Sequence, residues 1–125
     1  MAADYSINDV KETSDLRLPN YKKTRGSLEP LPNAQEEVKM LQNSFGGHAI
    51  FGREANEQNF KDKAPNYGII HLAMHGLLDR NNPMLSSLVF TENGDSLDNN
   101  FLQAYEISKM HLNADLVVLS ACETG

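Results

Sequence analysis

His75 and Cys122 are the two residues of this sequence whose types could together perform covalent catalysis. A cysteine attacks as its thiolate, so it needs a nearby base that removes the thiol proton, and histidine is the side chain that most often does this. The attacked carbonyl also needs N–H donors for the negative charge that develops on its oxygen. The backbone N–H of Gly76 is one candidate donor, because glycine has no side chain to block a close approach. The N–H of Cys122 is the second, and the set predicts a cysteine nucleophile with His75 as general base or acid.

Two apolar segments could bring these residues together. Residues 67–74 (YGIIHLAM) and 115–120 (DLVVLS) have the composition of buried strands. Strands that alternate with helices and are apolar throughout are typical of a parallel sheet with helices on both faces, and reactive groups collect at the carboxyl ends of such strands. His75 follows the first strand and Cys122 the second, so we expect them side by side although 122 − 75 = 47 positions separate them. The expected fold class is α/β with a mostly parallel sheet.

Three helices are predicted from capping residues and apolar periodicity. The first begins after Asn33, with Glu36 three residues later as in a capping box, and ends at Gly46. The second begins after Asn56 and stops at Pro65. The inward-facing residues are expected to be Val38, Leu41 and Phe45 in the first helix, Phe60 and Ala64 in the second, and Leu102, Tyr105 and Met110 in a short third helix.

Two further short strands are predicted, at residues 48–51 and 87–91. The second is followed by the turn signal Asn93-Gly94. The acidic cluster at residues 92–98 is therefore interpreted as a solvated hairpin.

Composition limits the functions that need to be considered. The chain has 125 residues, with 11 basic and 17 acidic side chains and a net charge of 11 − 17 = −6. No run of Lys and Arg stands out, so the sequence lacks the basic surface expected of a protein that binds nucleic acid. The single cysteine allows no disulfide within the chain, which fits a reducing compartment.

The amino-terminal quarter differs from the rest. Residues 6–32 are polar, contain three of the five prolines and lack apolar periodicity, so we expect residues 1–27 to be a linker or an extended segment that leads into a domain at residues 28–125. Residues 1–10 lack the apolar stretch of a signal peptide. No segment has the roughly 20 apolar residues of a membrane helix. The expected location is the cytoplasm, with no membrane partner.

Two blocks of this sequence resemble a known family. HLAMHG at residues 71–76 and LSACETG at residues 119–125 look like the two signature blocks of the CHAT domain, a caspase-like peptidase domain often attached to tetratricopeptide repeats. The spacing agrees with caspases, whose histidine lies about 50 residues upstream of the cysteine. The resemblance runs over residues 28–125, and includes LPNA at residues 31–34 and GREAN at residues 52–56.

The resemblance implies a bacterial-type cysteine endopeptidase. By it, His75 takes the place of the catalytic histidine and Cys122 that of the nucleophile, and Gly76 and Cys122 supply the oxyanion hole. Such domains cleave peptide bonds through a thioester acyl-enzyme, so the implied partners are a protein or peptide substrate and a tetratricopeptide-repeat region. No metal or cofactor is implied. The family domain continues past its ACETG block, so the chain is expected to be about the first half of the domain and to lack activity alone.

Several alternatives stay open at this point. Cys122 could be a buried small hydrophobe, or the fold could serve as a signalling or scaffolding module with lost chemistry. His71 could be a satisfied near-core residue or a helper of His75, since alternation along one strand would put both on the same face. A zinc site lacks the usual cysteine pairs, and Ser120 lacks the G-x-S-x-G elbow of a hydrolase. Asp79 and Asp115 are interpreted as turn and strand-start residues and not as a third catalytic acid.

Overall fold

The computed structural model describes residues 1–3, 28–92, 94 and 99–120. These residues contain three α-helices, which we number α1 (Ala34–Phe45), α2 (Glu57–Lys63) and α3 (Ala104–Ile107). Their strands are β1 (Ile69–Ala73), β2 (His75–Leu77), β3 (Ser87–Val89), β4 (Phe101–Gln103) and β5 (Leu116–Ser120). Short 3-10 turns occupy Gly52–Glu54, Ala64–Asn66 and Pro83–Leu85. Asn93 of the predicted turn and residues 95–98 of the acidic cluster lie outside the described residues.

Helix α2 begins and ends where the sequence predicts. The side chain of Asn56 accepts a hydrogen bond from the N–H of Asn59 at 2.9 Å, which satisfies one of the free donors of the first turn. Phe60 and Ala64 are buried, as expected. The helix passes into a 3-10 turn that contains Pro65 and then ends.

Helix α1 begins and ends at the predicted residues, but it lacks the predicted side-chain cap. Gly46 follows its last residue with a φ of 74°, the left-handed conformation that glycine adopts without steric cost. Asn33 stands at the cap position, yet its side chain makes no capping hydrogen bond. The reason is that its backbone is helical (φ −95°, ψ −7°), whereas a side-chain cap needs an extended residue. The predicted inward position of Phe45 is also wrong, because its side chain is 83% exposed.

Strands β1 and β5 form a parallel ladder. Its register runs from Ile69 opposite Leu116 to Ala73 opposite Ser120. Ala2 extends this sheet through isolated parallel bridges to Ala73 and Phe51. The predicted strand at residues 48–51 is therefore reduced to a single bridge.

The remaining strands form a second, antiparallel sheet in the order β2-β3-β4. The prediction of a strand at residues 87–91 is confirmed, but its antiparallel pairing was not predicted. Leu102, which we expected in the third helix, lies in β4 instead. Helix α3 starts only after Gln103, whose backbone N–H donates to the Glu106 carboxylate at 3.0 Å in a capping box.

Helices cover both faces of β1, as the sequence predicts for an α/β fold. On one face, Ile70 and Leu72 pack in a buried cluster with Phe60 of α2. On the other, Ala73 packs with Val38 of α1. Alternate residues of a strand point to opposite faces, so the two helices lie on opposite sides of the sheet.

Strand β5 is mostly apolar, and all five of its residues are exposed, with 38–55% exposure for Leu116 to Leu119. Within the described residues it pairs with β1 alone. Among these residues, no helix has the length and apolar character needed to cross a membrane.

Candidate active site

The parallel ladder ends just before both candidate catalytic residues. Its last pair is Ala73 and Ser120. His75 follows Ala73 by 75 − 73 = 2 residues and Cys122 follows Ser120 by 122 − 120 = 2 residues. The Cα atom of each residue therefore lies at most about 7.6 Å from that of the last ladder residue before it, since consecutive Cα atoms are about 3.8 Å apart. The two neighbouring strands themselves lie about 4.8 Å apart. Cys122 itself lies outside the described residues.

His75 is fixed in position by a backbone carbonyl. It is the first residue of β2, only 3% of its surface is exposed, and its Nε2 lies 2.6 Å from the carbonyl oxygen of Glu29. Because a carbonyl can only accept, the hydrogen of this bond belongs to Nε2. In the neutral imidazole the basic nitrogen is then Nδ1. This geometry equips Nδ1 to take a proton.

The Glu29 carbonyl is positioned by its neighbour Leu28. Leu28 is buried in a small cluster with Val89 and Phe101, against which Leu77 also packs. Val89 is also the residue that pairs with His75 in the antiparallel ladder. The same apolar cluster therefore holds both ends of the His75–Glu29 hydrogen bond. Nothing in the sequence pattern of residues 28–29 indicated this role.

Gly76, the predicted oxyanion donor, follows His75 within β2. It pairs with Leu88 of β3 and is partly exposed. This stretch of backbone is therefore partly accessible from solvent. The second predicted donor, the N–H of Cys122, lies outside the described residues.

His71 does not share a strand with His75. The chain bends at Met74, and β1 and β2 belong to different sheets. Our expectation that alternation places both histidines on one face is therefore wrong, because strand periodicity does not survive the bend. The His71 Nε2 lies 2.9 Å from Oε1 of Glu37 in α1, in a partly buried hydrogen bond.

Glu37 was missed by the sequence analysis, although it contacts both parallel strands. Its Oε1 accepts from His71 on β1, and its Oε2 accepts from the Ser120 hydroxyl on β5 at 3.2 Å. Ser120 thus acts as a hydrogen-bond donor to a helix. The adjacent Glu36 was predicted to be a capping residue. No local sequence pattern distinguishes the two glutamates.

The amino group of Met1 lies at the same end of the structure. It donates to the carbonyl oxygen of His71 at 2.7 Å. Burial lowers the pKa of this amino group from 8.0 to about 6, against the opposing attraction of the Glu37 carboxylate. The charged form is therefore less stable in the folded chain than in the unfolded one.

Acidification from pH 8 to pH 6 is expected to destabilise the fold through Met1. In this window the unfolded chain binds the proton and the folded chain does not, so stability is complete above pH 8 and falls as the pH approaches 6. The loss is of the order of 2 kcal/mol, since each pKa unit corresponds to about 1.4 kcal/mol. Urea unfolding at both pH values measures it. The same chain with an acetylated amino group is the control, and an equal pH dependence of the two chains would contradict the assignment.

The remaining acidic candidates have structural roles. Asp79 accepts the backbone N–H groups of Asn81 and Asn82 in a turn. Asp115 directly precedes β5, and its own N–H donates to Gly68. Within residues 1–3, 28–92, 94 and 99–120, no three His, Cys, Asp or Glu side chains form a group that could hold a metal ion.

Comparison with known proteins identifies the family. The family model described as CHAT domain matches residues 7–125, which is nearly the whole chain. Neither the comparison with curated proteins nor that with solved structures gave a match. The chain belongs to the CHAT domain family, a family linked to caspase-like peptidases.

Proposed function

We propose that this domain is a cysteine endopeptidase in which His75 and Cys122 form the catalytic dyad. The observation that carries the proposal is the last pair of the parallel ladder, Ala73 and Ser120, from which the two residues follow at the same distance along the chain. The hydrogen bond from His75 Nε2 to Glu29 supports it, because it leaves Nδ1 as the basic nitrogen.

The chemistry follows from these groups. Nδ1 of His75 takes the thiol proton of Cys122, and the resulting thiolate attacks the carbonyl carbon of the scissile peptide bond. The N–H groups of Gly76 and Cys122 stabilise the oxyanion of the tetrahedral intermediate. The imidazolium then gives its proton to the leaving amine, which leaves a thioester. Water, deprotonated by the same histidine, attacks the thioester and releases the acid and the thiol.

The Glu29 carbonyl stabilises the charged intermediate of this cycle. When His75 carries two protons, the positive charge strengthens its hydrogen bond to the carbonyl oxygen. Because the backbone carbonyl accepts this hydrogen bond, the dyad needs no third catalytic acid.

We also propose that the substrate is a protein in the bacterial cytoplasm, and that attached tetratricopeptide repeats regulate cleavage.

Cleavage of a peptide library by the intact protein that carries this domain tests the proposal. The Cys122→Ala variant is expected to reduce cleavage by at least about a thousandfold, since removing a covalent nucleophile leaves only the contributions of binding and the oxyanion hole. His111→Ala serves as the control, because that histidine is exposed and is no part of the site. If the wild-type protein and the Cys122→Ala variant cleave the library at the same rate, the proposed peptidase function is wrong. That result would favour a signalling or scaffolding module.

A further inference from the structure

Glu37 connects the two parallel strands at the end that faces the candidate dyad. One carboxylate oxygen accepts from His71 on β1 at 2.9 Å, and the other accepts from Ser120 on β5 at 3.2 Å. Ser120 is the last residue of β5 and precedes Cys122 by two positions. Glu37 is therefore the side chain by which helix α1 contacts both strands.

Helix α1 is a firm support for such a contact. Ala34 and Val38, on either side of Glu37 in sequence, are buried against Ala2 and Ala73. Ala73 is itself the ladder partner of Ser120. The backbone from which Glu37 projects is thus packed against β1, beside the ladder pair that ends in Ser120.

The strand that Glu37 holds has little other support among the described residues. Strand β5 is exposed at all five positions and pairs only with β1 there. A hydrogen bond to a carboxylate is stronger than one to a neutral acceptor. Its loss would leave Ser120, among the described residues, held by its ladder pairing with Ala73.

We propose that Glu37 is a positioning residue for the cysteine nucleophile, acting through Ser120. The inference rests on the proposed function, because it assumes that Cys122 must lie within proton-transfer distance of His75. Displacements of about 1 Å are enough to reduce catalysis by up to about a hundredfold. Both oxygens of the carboxylate are needed, one for each strand.

Alkylation of Cys122 by iodoacetamide measures this positioning without a known substrate. The intact protein that carries this domain is alkylated, and peptide mass mapping assigns the modification to Cys122, the one cysteine of residues 1–125. At pH 6.5 an ordinary thiol, with a pKa of about 8.5, is about 1% thiolate, and the rate therefore reports the help of a nearby base. At pH 9.5 the thiolate forms without help, so the rate then reports only access to the sulfur.

Glu37→Gln is the sharpest variant, because glutamine keeps the size of the side chain but has one acceptor oxygen instead of two. It is expected to lower the rate at pH 6.5 by about threefold to tenfold and to leave the rate at pH 9.5 within about twofold. Ser120→Ala, at an exposed position, should have a similar effect. The double variant should be no slower than the slower single variant, because the two residues act through one contact. Glu36→Gln is the matched control, since Glu36 lies in the same helical turn but is exposed.

The variants separate the positioning role of Glu37 from the His75–Cys122 dyad itself. Equal rates for Glu37→Gln and Glu36→Gln at pH 6.5 would overturn the positioning role. Single effects that multiply in the double variant would also overturn it, because Glu37 would then not act through Ser120. His75→Ala is measured alongside, and an unchanged rate in that variant would instead overturn the dyad itself and the proposed function with it.

Discussion

Replacing His75 with alanine is expected to slow the alkylation of Cys122 at pH 6.5 by about tenfold. A thiol without a partner is about 1% ionised at that pH, so a dyad that ionises most of it raises the thiolate population by up to about a hundredfold. Part of this gain is lost because a thiolate of lower pKa is a weaker nucleophile. Its rate of attack falls by about the square root of the decrease in basicity. The net effect is therefore about tenfold.

The histidine at position 75 is distinguished from the others by its burial and by its fixed tautomer. His111→Ala removes an exposed histidine from the same chain and is expected to leave the rate unchanged. The two variants should also converge on the wild-type rate at pH 9.5, where the thiolate forms without a base. A loss of equal size in the two variants would mean that Cys122 responds to the general charge of the protein and not to a specific partner.

Phe90→Ala is expected to lower the free energy of unfolding by about 3–5 kcal/mol, the usual cost of removing a buried aromatic side chain. Phe90 is completely buried, and its ring lies 5.2 Å from that of Phe60 between centroids. It follows Val89, the partner of His75, and shares its cluster with Leu72 of the parallel sheet and Leu88 of the antiparallel sheet. The cavity would therefore loosen the junction that positions His75.

Phe45→Ala provides the matched control for this variant. The same atoms are removed, but the Phe45 side chain is 83% exposed in the structure, so we expect a change within about 0.5 kcal/mol. Urea unfolding followed by circular dichroism compares the two variants. If they lost equal stability, the assignment of Phe90 to the shared core would be wrong.

The sequence predicted those elements that carry their own local signals. Asn56 and Pro65 bound α2 as expected, and the apolar runs ending at Ala73 and Ser120 became the parallel ladder. Strands β2 and β4 of the antiparallel sheet were not predicted because they have three residues each, which is too short for an alternating pattern to be recognised. Leu102 was assigned to a helix for the same reason, since one apolar residue fits either period.

The candidate site was predictable only in part. His75 and Cys122 follow the ends of recognisable strands, so their relation to the ladder could be inferred from strand order. The carbonyl of Glu29 could not be inferred, because a backbone acceptor has no side-chain signature. Glu37 was hidden for a different reason, since its two partners are 34 and 83 positions away along the chain.

The distance between Sγ of Cys122 and Nδ1 of His75 is the most direct test of the proposed dyad. We predict that a crystal structure of the protein places these atoms within about 4 Å of each other, close to the hydrogen-bond distances of a working nucleophile and base. The Nε2 of His75 should keep its bond to the Glu29 carbonyl at the same time. Side chains that point to opposite faces of the sheet, or atoms separated by more than the roughly 6 Å that one water can bridge, would contradict a His75–Cys122 dyad.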